Sequence, residues 1–159
     1  MTRVVGRFNT FDVRIVLAPG DPAASSVEAK IDVASVDSGI AARDADLRGP
    51  LFFDAVAHPH ITFVSRRIEP RTQGFAAIGE LTIRGVSRPQ TLPFTLTRVE
   101  WEDGRPRLGV AGRLTIDRTV FGVGTDWKHS LVPHFIGNDV DCELFVWTKL
   151  GKPREAESK

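Results

Sequence analysis

Hydrophobic and polar residues alternate along most of the chain. Successive side chains of a β-strand point to opposite faces of a sheet, so this period-2 pattern predicts strands that bury one face. From Phe75 to Ile83, for example, the odd-numbered residues are apolar or small, whereas Glu80 and Thr82 face the other way. The same alternation occurs in FDVRIVL (11–17), SVEAKIDVAS (26–35), QTLPFTLT (90–97), RLGVAGRLTID (107–117) and VDCELFVWTK (140–149), and more weakly in ITFVSRRI (61–68).

These segments are joined by turns that contain Gly, Pro, Asp and Ser, and GVSRP (85–89) is typical of such a turn. About seven strands with one apolar and one polar face predict an all-β antiparallel meander. Long strands, and small residues on the apolar face, favour an elongated up-and-down β-barrel over a sandwich. An odd number of strands makes the closing pair parallel. One strand is therefore missing from the chain, or it lies within residues 118–138.

The alternation stops in ARDADLRGPLFFDAVAHP, at residues 42–59. Asp44 is typical of a helix N-cap, which predicts a short helix over Ala45 to Arg48, and the following Gly-Pro suits the start of a second short turn. That turn brings Phe52 and Phe53 against one end of the barrel. The segment therefore predicts a helical cap that keeps water out of an apolar lumen.

The composition is that of an ordinary globular protein, with 42% hydrophobic and 26% charged residues. The 21 basic and 20 acidic residues give a net charge of +1, so no broad field favours nucleic acid or an anionic membrane. No apolar run reaches the length of a transmembrane span or of a signal-peptide core, which predicts a soluble, cytoplasmic protein from the sequence as written. We expect one domain over residues 1–149, and a disordered, charged tail over residues 150–159.

The sequence shows little that is typical of catalysis or metal binding. Cys142 is the only cysteine, which excludes an internal disulfide, and it falls on the apolar face of its strand, where burial raises the pKa of a thiol. No GxSxG, HExxH or CxxC spacing occurs. The four histidines, at positions 58, 60, 129 and 134, are better explained by surface or structural roles than by a metal site. We therefore predict no metal and no enzymatic activity.

Three motifs resemble the YceI-like family of lipocalin-like, polyisoprenoid-binding proteins. They are RDADLRGPLFFDAVAHPHITF (43–63), GELTIRGVSRPQTLPF (79–94) and IDRTVFGVG (116–124), in the family's order, and the resemblance spans about residues 4–149. It implies an elongated antiparallel β-barrel with a short helical cap. It also implies a long isoprenoid chain in the apolar lumen, such as a polyprenyl phosphate or a quinone tail, with no further cofactor.

On this resemblance, the ligand-binding residues are the inward-facing apolar side chains and the two phenylalanines of the cap. Arg43, Arg48 and Arg118, with Arg84 and Lys128 beside them, offer donors for a phosphate head group. The alternative role, which we favour, is to fix the loops at the barrel end. The lumen set comprises Val13, Ile15, Ile31, Val33, Phe52, Phe53, Phe63, Phe75, Leu81, Leu92, Phe94, Leu108, Leu114 and Leu144.

The sequence departs from the family at its start. Relatives usually begin with a further strand that contains a His-Ser pair, so either residues upstream exist in nature or the barrel has an unclosed seam. An unclosed seam exposes two strand edges, which predicts a homodimer through one of them. The usual histidine of the cap is Asp46 here, which removes any role of that histidine.

We predict a non-enzymatic carrier that binds an isoprenoid lipid and no nucleic acid. The alternation alone slightly favours a barrel filled by its own side chains, and the resemblance shifts the interpretation to a ligand. Two other functions stay open: an enzyme that acts on a prenyl or lipid substrate in the same barrel, and a stress-related interaction scaffold. The assigned inward set contains no Asp, Glu or His, which disfavours the enzyme.

Overall fold

In the described part of the chain, the structure is a curled antiparallel β-sheet with one α-helix, in agreement with the alternation. It is a computed structural model that describes residues 4–18, 20–21, 24–101, 104, 106–128 and 136–149. The predicted disordered tail lies outside the described residues. The elements are β1 (Arg7–Phe8), β2 (Phe11–Val16), β3 (Ser26–Asp32), β4 (Val36–Asp37), α1 (Ala41–Arg48), β5 (His60–Pro70), β6 (Phe75–Ile83), β7 (Val86–Glu100), β8 (Pro106–Asp117) and β9 (Asp139–Lys149).

Seven of these strands form the main sheet, in the order β2-β3-β5-β6-β7-β8-β9, and each neighbouring pair is antiparallel. β1 pairs separately with β4. The main sheet curls into a half-barrel whose two edges are β2 and β9. Seven antiparallel strands leave these two edges parallel to each other, and the described residues show no pairing between them. The strand count and the unclosed seam thus agree with the expectation from parity.

A β-bulge explains why the alternation is weak in ITFVSRRI. β5 pairs regularly with β6 as far as Ser65, and the register then shifts before Arg67. The inward row therefore changes from odd to even positions, from Ser65 at 9% exposure to Ile68 at 3%. Gly79 lies opposite Ser65, and a Cβ atom there would lie 2.2 Å from the carbonyl oxygen of Val64. The close approach of the two strands at the bulge requires glycine.

The turn before β7 is shorter than the sequence predicts. We expected a turn over residues 85–89, but Arg84 and Gly85 alone connect β6 to β7, so that prediction was wrong. Both residues have positive φ, 51° and 73°, as the two-residue type I′ hairpin requires. β7 consequently begins at Val86 and is 15 residues long.

Two prolines lie inside β7 without disrupting the sheet. Pro89 and Pro93 fall in the half of the strand that pairs with β6 alone, since pairing with β8 begins only at Phe94. A proline has no N–H to donate, so it is tolerated where one side of a strand has no partner. This half of β7 is therefore separated from the neighbouring part of β8.

The helical cap begins earlier than predicted. α1 starts at Ala41 with Ile40 at the N-cap position, so the assignment of Asp44 as the N-cap was wrong. Asp44 lies inside the helix at 7% exposure, and its carboxylate accepts hydrogen bonds from the backbone N–H and the hydroxyl of Ser38. The carboxylate thus fastens the chain that precedes the helix instead of capping the helix backbone.

Val33 belongs to a turn and not to the inward row of a strand, which corrects the expectation from SVEAKIDVAS. β3 ends at Asp32, whose carboxylate accepts a hydrogen bond of 2.9 Å from the backbone N–H of Ala34. This bond starts a 3₁₀ helix over Val33–Ser35. Val33 is nevertheless 1% exposed, so it joins the core from the turn.

Residues 118–138, where an eighth strand was considered, begin with a 3₁₀ helix over Arg118–Phe121. The parts of this region that the structure describes, 118–128 and 136–138, contain no strand. Residues 129–135 lie outside the described residues. The helix instead places Phe121, which is 2% exposed, in the core.

Candidate ligand-binding surface

The inner face of the curled sheet has a buried centre. The middle of the inward rows of β5, β6 and β7 is buried, and Phe63 and Phe94 are only 6% and 4% exposed. These buried residues form one cluster with Val33, with Phe52 of the cap and with Phe121 of the 3₁₀ helix after β8. The buried centre comprises Ile61, Phe63, Ile68, Ala77, Leu81, Ile83, Leu92 and Phe94.

Two flanks border this centre, and their apolar side chains stay partly exposed. They pack against the centre from either side without being fully covered. Among the described residues, β2 pairs only with β3 and β9 only with β8, so neither edge strand has a second neighbour there. The β2 flank comprises Val13, Ile15, Ala29 and Ile31, and the β9 flank comprises Leu114, Ile116 and Leu144.

All but one of the predicted lumen residues lie in this cluster or pack against it. Leu108 is the exception, because it is half-buried opposite Arg98 and outside the cluster. Contact of any of these side chains with a ligand stays a prediction. The buried members are Val33, Phe52, Phe63, Leu81, Leu92 and Phe94. The partly buried members are Val13, Ile15, Ile31, Phe53, Phe75, Leu114 and Leu144.

The cap closes one end of the inner face with aromatic side chains. The ring centroids of Phe52 and Trp127 are 6.2 Å apart. The backbone N–H of Gly124 donates to the carbonyl oxygen of Leu51 at 2.8 Å. This bond joins the loop after α1 to the loop after β8, and the two loops and α1 together form the cap. Gly124 has a φ of 67°, and a Cβ atom there would lie 2.8 Å from the ring of Phe52. The tight contact between the loops therefore depends on glycine.

The side chains of Arg84 and Arg118 hold the cap loops by hydrogen bonds to backbone carbonyl oxygens. Arg84 donates to the carbonyl oxygen of Pro50 at 2.6 Å and to that of Gly122. Arg118 donates to the carbonyl oxygen of Val123 at 2.6 Å. Each guanidinium satisfies loop carbonyls that have no partner in a sheet, so both arginines hold the cap loops in place.

Arg43 and Arg48 connect α1 to residues 34–38 by hydrogen bonds. Arg48 donates to the carbonyl oxygens of Ala34 and Val36 at 2.8 and 2.9 Å. Arg43 donates to the hydroxyl and the carbonyl oxygen of Ser38 at 2.8 and 2.9 Å. These bonds agree with the loop-fixing role that we favoured. A head-group contact by Arg43, Arg48 or Arg118 stays a prediction.

Two polar residues on the inner face were missed in the sequence. Val86 pairs with the buried Ile83, so it points inward. Alternate residues of a strand share a face, which places Arg88 and Gln90 in the same inward row as Leu92. Gln90 and Arg88 lie two and four residues before Leu92, so the period-2 pattern does place them on its face. We did not identify them because residues 85–89 were interpreted as a turn.

Few described residues on the inner face can titrate. Cys142 lies in the inward row of β9, where burial, and next the charge of Asp141, raise the pKa of its thiol above the usual value. The described residues contain no group of three or more His, Cys, Asp or Glu side chains that could hold a metal ion. His129 and His134 lie outside the described residues.

Two shallow depressions lie on the outer side of the sheet. One, of about 320 Å³, is lined mainly by outward residues of β7, β8 and β9, such as Pro93, Arg113 and Phe145. The other, of about 340 Å³, is lined by outward residues of β2, β3 and β5, such as Arg14 and Lys30. Both differ in position from the inner apolar surface. No helix within the described ranges is long and apolar enough to cross a membrane.

The sequence is similar to proteins from several bacteria. A UPF0312 protein of Yersinia pestis (strain Pestoides F) is 39% identical over 92 residues, which cover 58% of this chain and 48% of that protein. A UPF0312 protein of Yersinia enterocolitica is 37% identical over 92 residues, with the same coverage of 58% and 48%. The chain thus spans about half the length of the curated relatives that it matches.

Solved structures share the fold. The crystal structure of Burkholderia cenocepacia BcnA has a TM-score of 0.80 and 30% identity, over 91% of this chain and 87% of that one. The Campylobacter jejuni YceI protein has a TM-score of 0.81 over 96% of this chain and 88% of that one, and its 24% identity shows the fold alone. The predicted lipocalin-like fold is confirmed. The sequence profile of the YceI-like domain matches residues 1–146, and the chain therefore belongs to the YceI-like family.

Proposed function

We propose that the protein is a non-enzymatic binding protein that holds a long-chain isoprenoid lipid against the inner face of its half-barrel. The family and the fold support a binding protein of this barrel type. The observation that carries the proposal is the partial exposure of the flanks, where Leu114 and Leu144 are apolar and only half-buried. Apolar surface that stays accessible on the concave side of a sheet is typical of a ligand site.

The free energy of burial is sufficient for such a ligand. Each CH₂ group removed from water contributes about 0.8 kcal/mol. The loss of translational freedom and the ordering of a flexible chain offset several kcal/mol of this gain. An isoprenoid of about 20 carbon atoms therefore reaches roughly micromolar affinity.

The shape of the surface suits an extended chain. β8 is 12 residues long, or about 40 Å at about 3.4 Å per residue. Its inward row and that of β9 run side by side, accessible from Leu114 and its partner Cys142 to Gly112 and its partner Leu144, and buried beyond them at Val110 and Val146. A ligand on this flank is recognised mainly by its length and apolarity, since dispersion and burial are not directional.

Organic extraction of the purified protein followed by mass spectrometry tests the proposal. We expect an isoprenoid lipid in the extract, or uptake of added geranylgeraniol by the lipid-free protein. Repeated absence of both contradicts the proposal.

A matched pair of variants locates the ligand. Leu144 points inward on β9, whereas the adjacent Phe145 points outward and is 70% exposed. We expect Leu144→Asp to lower the uptake of geranylgeraniol at least tenfold, because a carboxylate is costly to desolvate beside a lipid chain. Phe145→Asp should retain full uptake. Circular dichroism confirms that both variants are folded, and equal uptake by both contradicts a ligand on the β9 flank.

A further inference from the structure

The inward row of β7 carries a polar interruption in the apolar inner face. Arg88 pairs with Leu81 and Gln90 pairs with Gly79, within a regular ladder between β6 and β7. Directly opposed residues of an antiparallel pair share a face, and Leu81 is inward at 7% exposure. The guanidinium of Arg88 and the amide of Gln90 therefore project from the inner face. The amide nitrogen of Gln90 donates to the backbone carbonyl oxygen of Thr91 at 3.2 Å, and an amide has a second N–H to donate.

Ser65 extends this interruption to a third strand. Ser65 of β5 pairs with Gly79 of β6, which pairs with Gln90 of β7. At this position along the three strands, the inner face therefore has two polar side chains and a glycine, and no apolar side chain. Ser65 is 9% exposed, and its hydroxyl oxygen accepts a hydrogen bond of 2.7 Å from the backbone N–H of Val27. A hydroxyl that accepts in this way still has its own proton to donate. We call Ser65, Arg88 and Gln90 the polar strip.

Arg88 differs in its partners from arginines on the outer face of the sheet. On the outer face, Arg66 lies 3.5 Å from a carboxylate oxygen of Glu80. Arg88 donates to the adjacent carbonyl oxygen of Ser87 at 3.3 Å, and no carboxylate in the described part of the chain forms an ion pair with it. A guanidinium that faces apolar side chains is favourable only when an anion or water compensates its charge.

The split between β7 and β8 keeps this guanidinium within reach of a ligand. Arg88 lies in the half of β7 that has no β8 partner, and its side chain is exposed. Leu81 and Leu92 nearby in the inward rows are buried, at 7% and 8% exposure. A charged donor is thus accessible at the border of the apolar surface on which we place the lipid.

We infer that Arg88 binds the phosphate head group of the lipid, with Gln90 and Ser65 as further hydrogen-bond donors; this inference rests on the proposed function. The planar guanidinium offers a fork of donors that matches two phosphate oxygens. The site differs from the cap arginines, such as Arg48 and Arg118, which donate to backbone carbonyls.

The position of the polar strip also sets the direction of the chain. Beyond Gln90 the inward row of β7 is apolar but buried at Leu92 and Phe94, so the accessible apolar surface that continues away from the cap is the β9 flank. About ten residues separate Arg88 from Arg98 at the far end of β7, or about 33 Å. The head group therefore lies towards the capped end, and the tail runs away from the cap.

The affinities of geranylgeranyl monophosphate and geranylgeraniol, measured by isothermal titration calorimetry on the full chain and its variants, test this inference. We expect the parent protein to bind the phosphate about tenfold more tightly than the alcohol. Arg88→Gln should remove this preference by lowering the affinity for the phosphate alone. Arg88→Lys, which keeps the charge, should retain part of it, and Arg98→Gln, in the same inward row, should retain all of it.

Several outcomes overturn the inference. Among them are an unchanged preference in Arg88→Gln, an equal loss of affinity for both ligands in that variant, a loss of preference in Arg98→Gln, and inorganic phosphate that binds as tightly as the lipid phosphate. Binding of the alcohol with no preference for the phosphate also overturns it, while the proposed function stands. If neither ligand binds the parent protein, the proposed function fails, and this inference fails with it.

Discussion

The buried centre and the β9 flank carry the same kind of side chain in different surroundings. Leu81 in the centre is 7% exposed, whereas Leu114 and Leu144 in the flank are half-buried. β6 has a paired strand on each side, whereas Leu144 lies on the edge strand β9, and Leu114 lies on β8 beyond its last pair with β7. The comparison teaches that alternation specifies which face of a strand is apolar, and that the neighbours of the strand decide how far this face is covered.

The two regions therefore have different roles. In the centre, apolar side chains pack against each other and against the cap, so their contribution is mainly to stability. In the flank, the same residue types keep surface that water contacts, and a bound chain gains free energy by covering it. Variants that separate stability from binding test this division.

The largest expected effect is on stability in the centre. Leu81→Ala should lower the free energy of unfolding by about 3 kcal/mol, because it leaves a cavity in a closely packed region. Leu144→Ala, the same change in the flank, should cost about 1 kcal/mol, because solvent reaches that site. Urea denaturation followed by circular dichroism measures both values, and equal losses contradict the division into centre and flank.

A somewhat smaller effect is expected at the bulge that joins β5 to β6. Gly79→Ala places a Cβ atom 2.2 Å from the carbonyl oxygen of Val64, so the two strands must separate locally. We expect a loss of about 2 kcal/mol in the free energy of unfolding. Gly137→Ala is the control, because nothing lies within 4 Å of a Cβ atom there, and it should change stability by less than about 0.5 kcal/mol. A stability of Gly79→Ala equal to that of the parent contradicts the close approach.

A third prediction concerns the exposed edge of the flank. The outward side chains Phe145 and Trp147 of β9 are 70% and 57% exposed beside the unpaired backbone of an edge strand. We expect a homodimer through this edge, which Phe145→Lys weakens about tenfold by adding a charge to the contact. Val64→Lys, on the outer face of the interior strand β5, should leave the dimer intact. Sedimentation velocity over a concentration series measures both, and a parent protein that stays monomeric contradicts the prediction.

The smallest expected effect is on the reactivity of Cys142 in the β9 flank. Because its pKa is raised, the thiolate is scarce at pH 8, so alkylation by iodoacetamide should be slower than for an exposed cysteine and should accelerate as the pH rises towards the raised pKa. A bound isoprenoid should slow the reaction a further few-fold by covering the inward row. Mass spectrometry of labelled protein follows the rate, and equal rates with and without geranylgeraniol contradict a ligand at this position.

Much of the fold was predictable, and the failures have local physical causes. β6, β8 and β9 lie within two residues of their predicted bounds, because their alternation is regular. The bulge at Ser65 hid the pattern of β5, because one extra residue reverses the inward parity. The short hairpin hid the beginning of β7, because Arg84 adopts a positive φ that the sequence pattern does not favour. That second error also concealed Arg88.

The sequence by itself determined the all-β class, the apolar face of the strands that alternate regularly, the segment that forms the cap and the family. These follow from the residues along a short stretch of chain, where period and local turn chemistry act. Only the tertiary structure decided which apolar rows are buried and which stay accessible, and that Arg84 and Arg118 fasten the cap. Burial and hydrogen bonding of this kind depend on which distant strands become neighbours, and no local pattern contains that information.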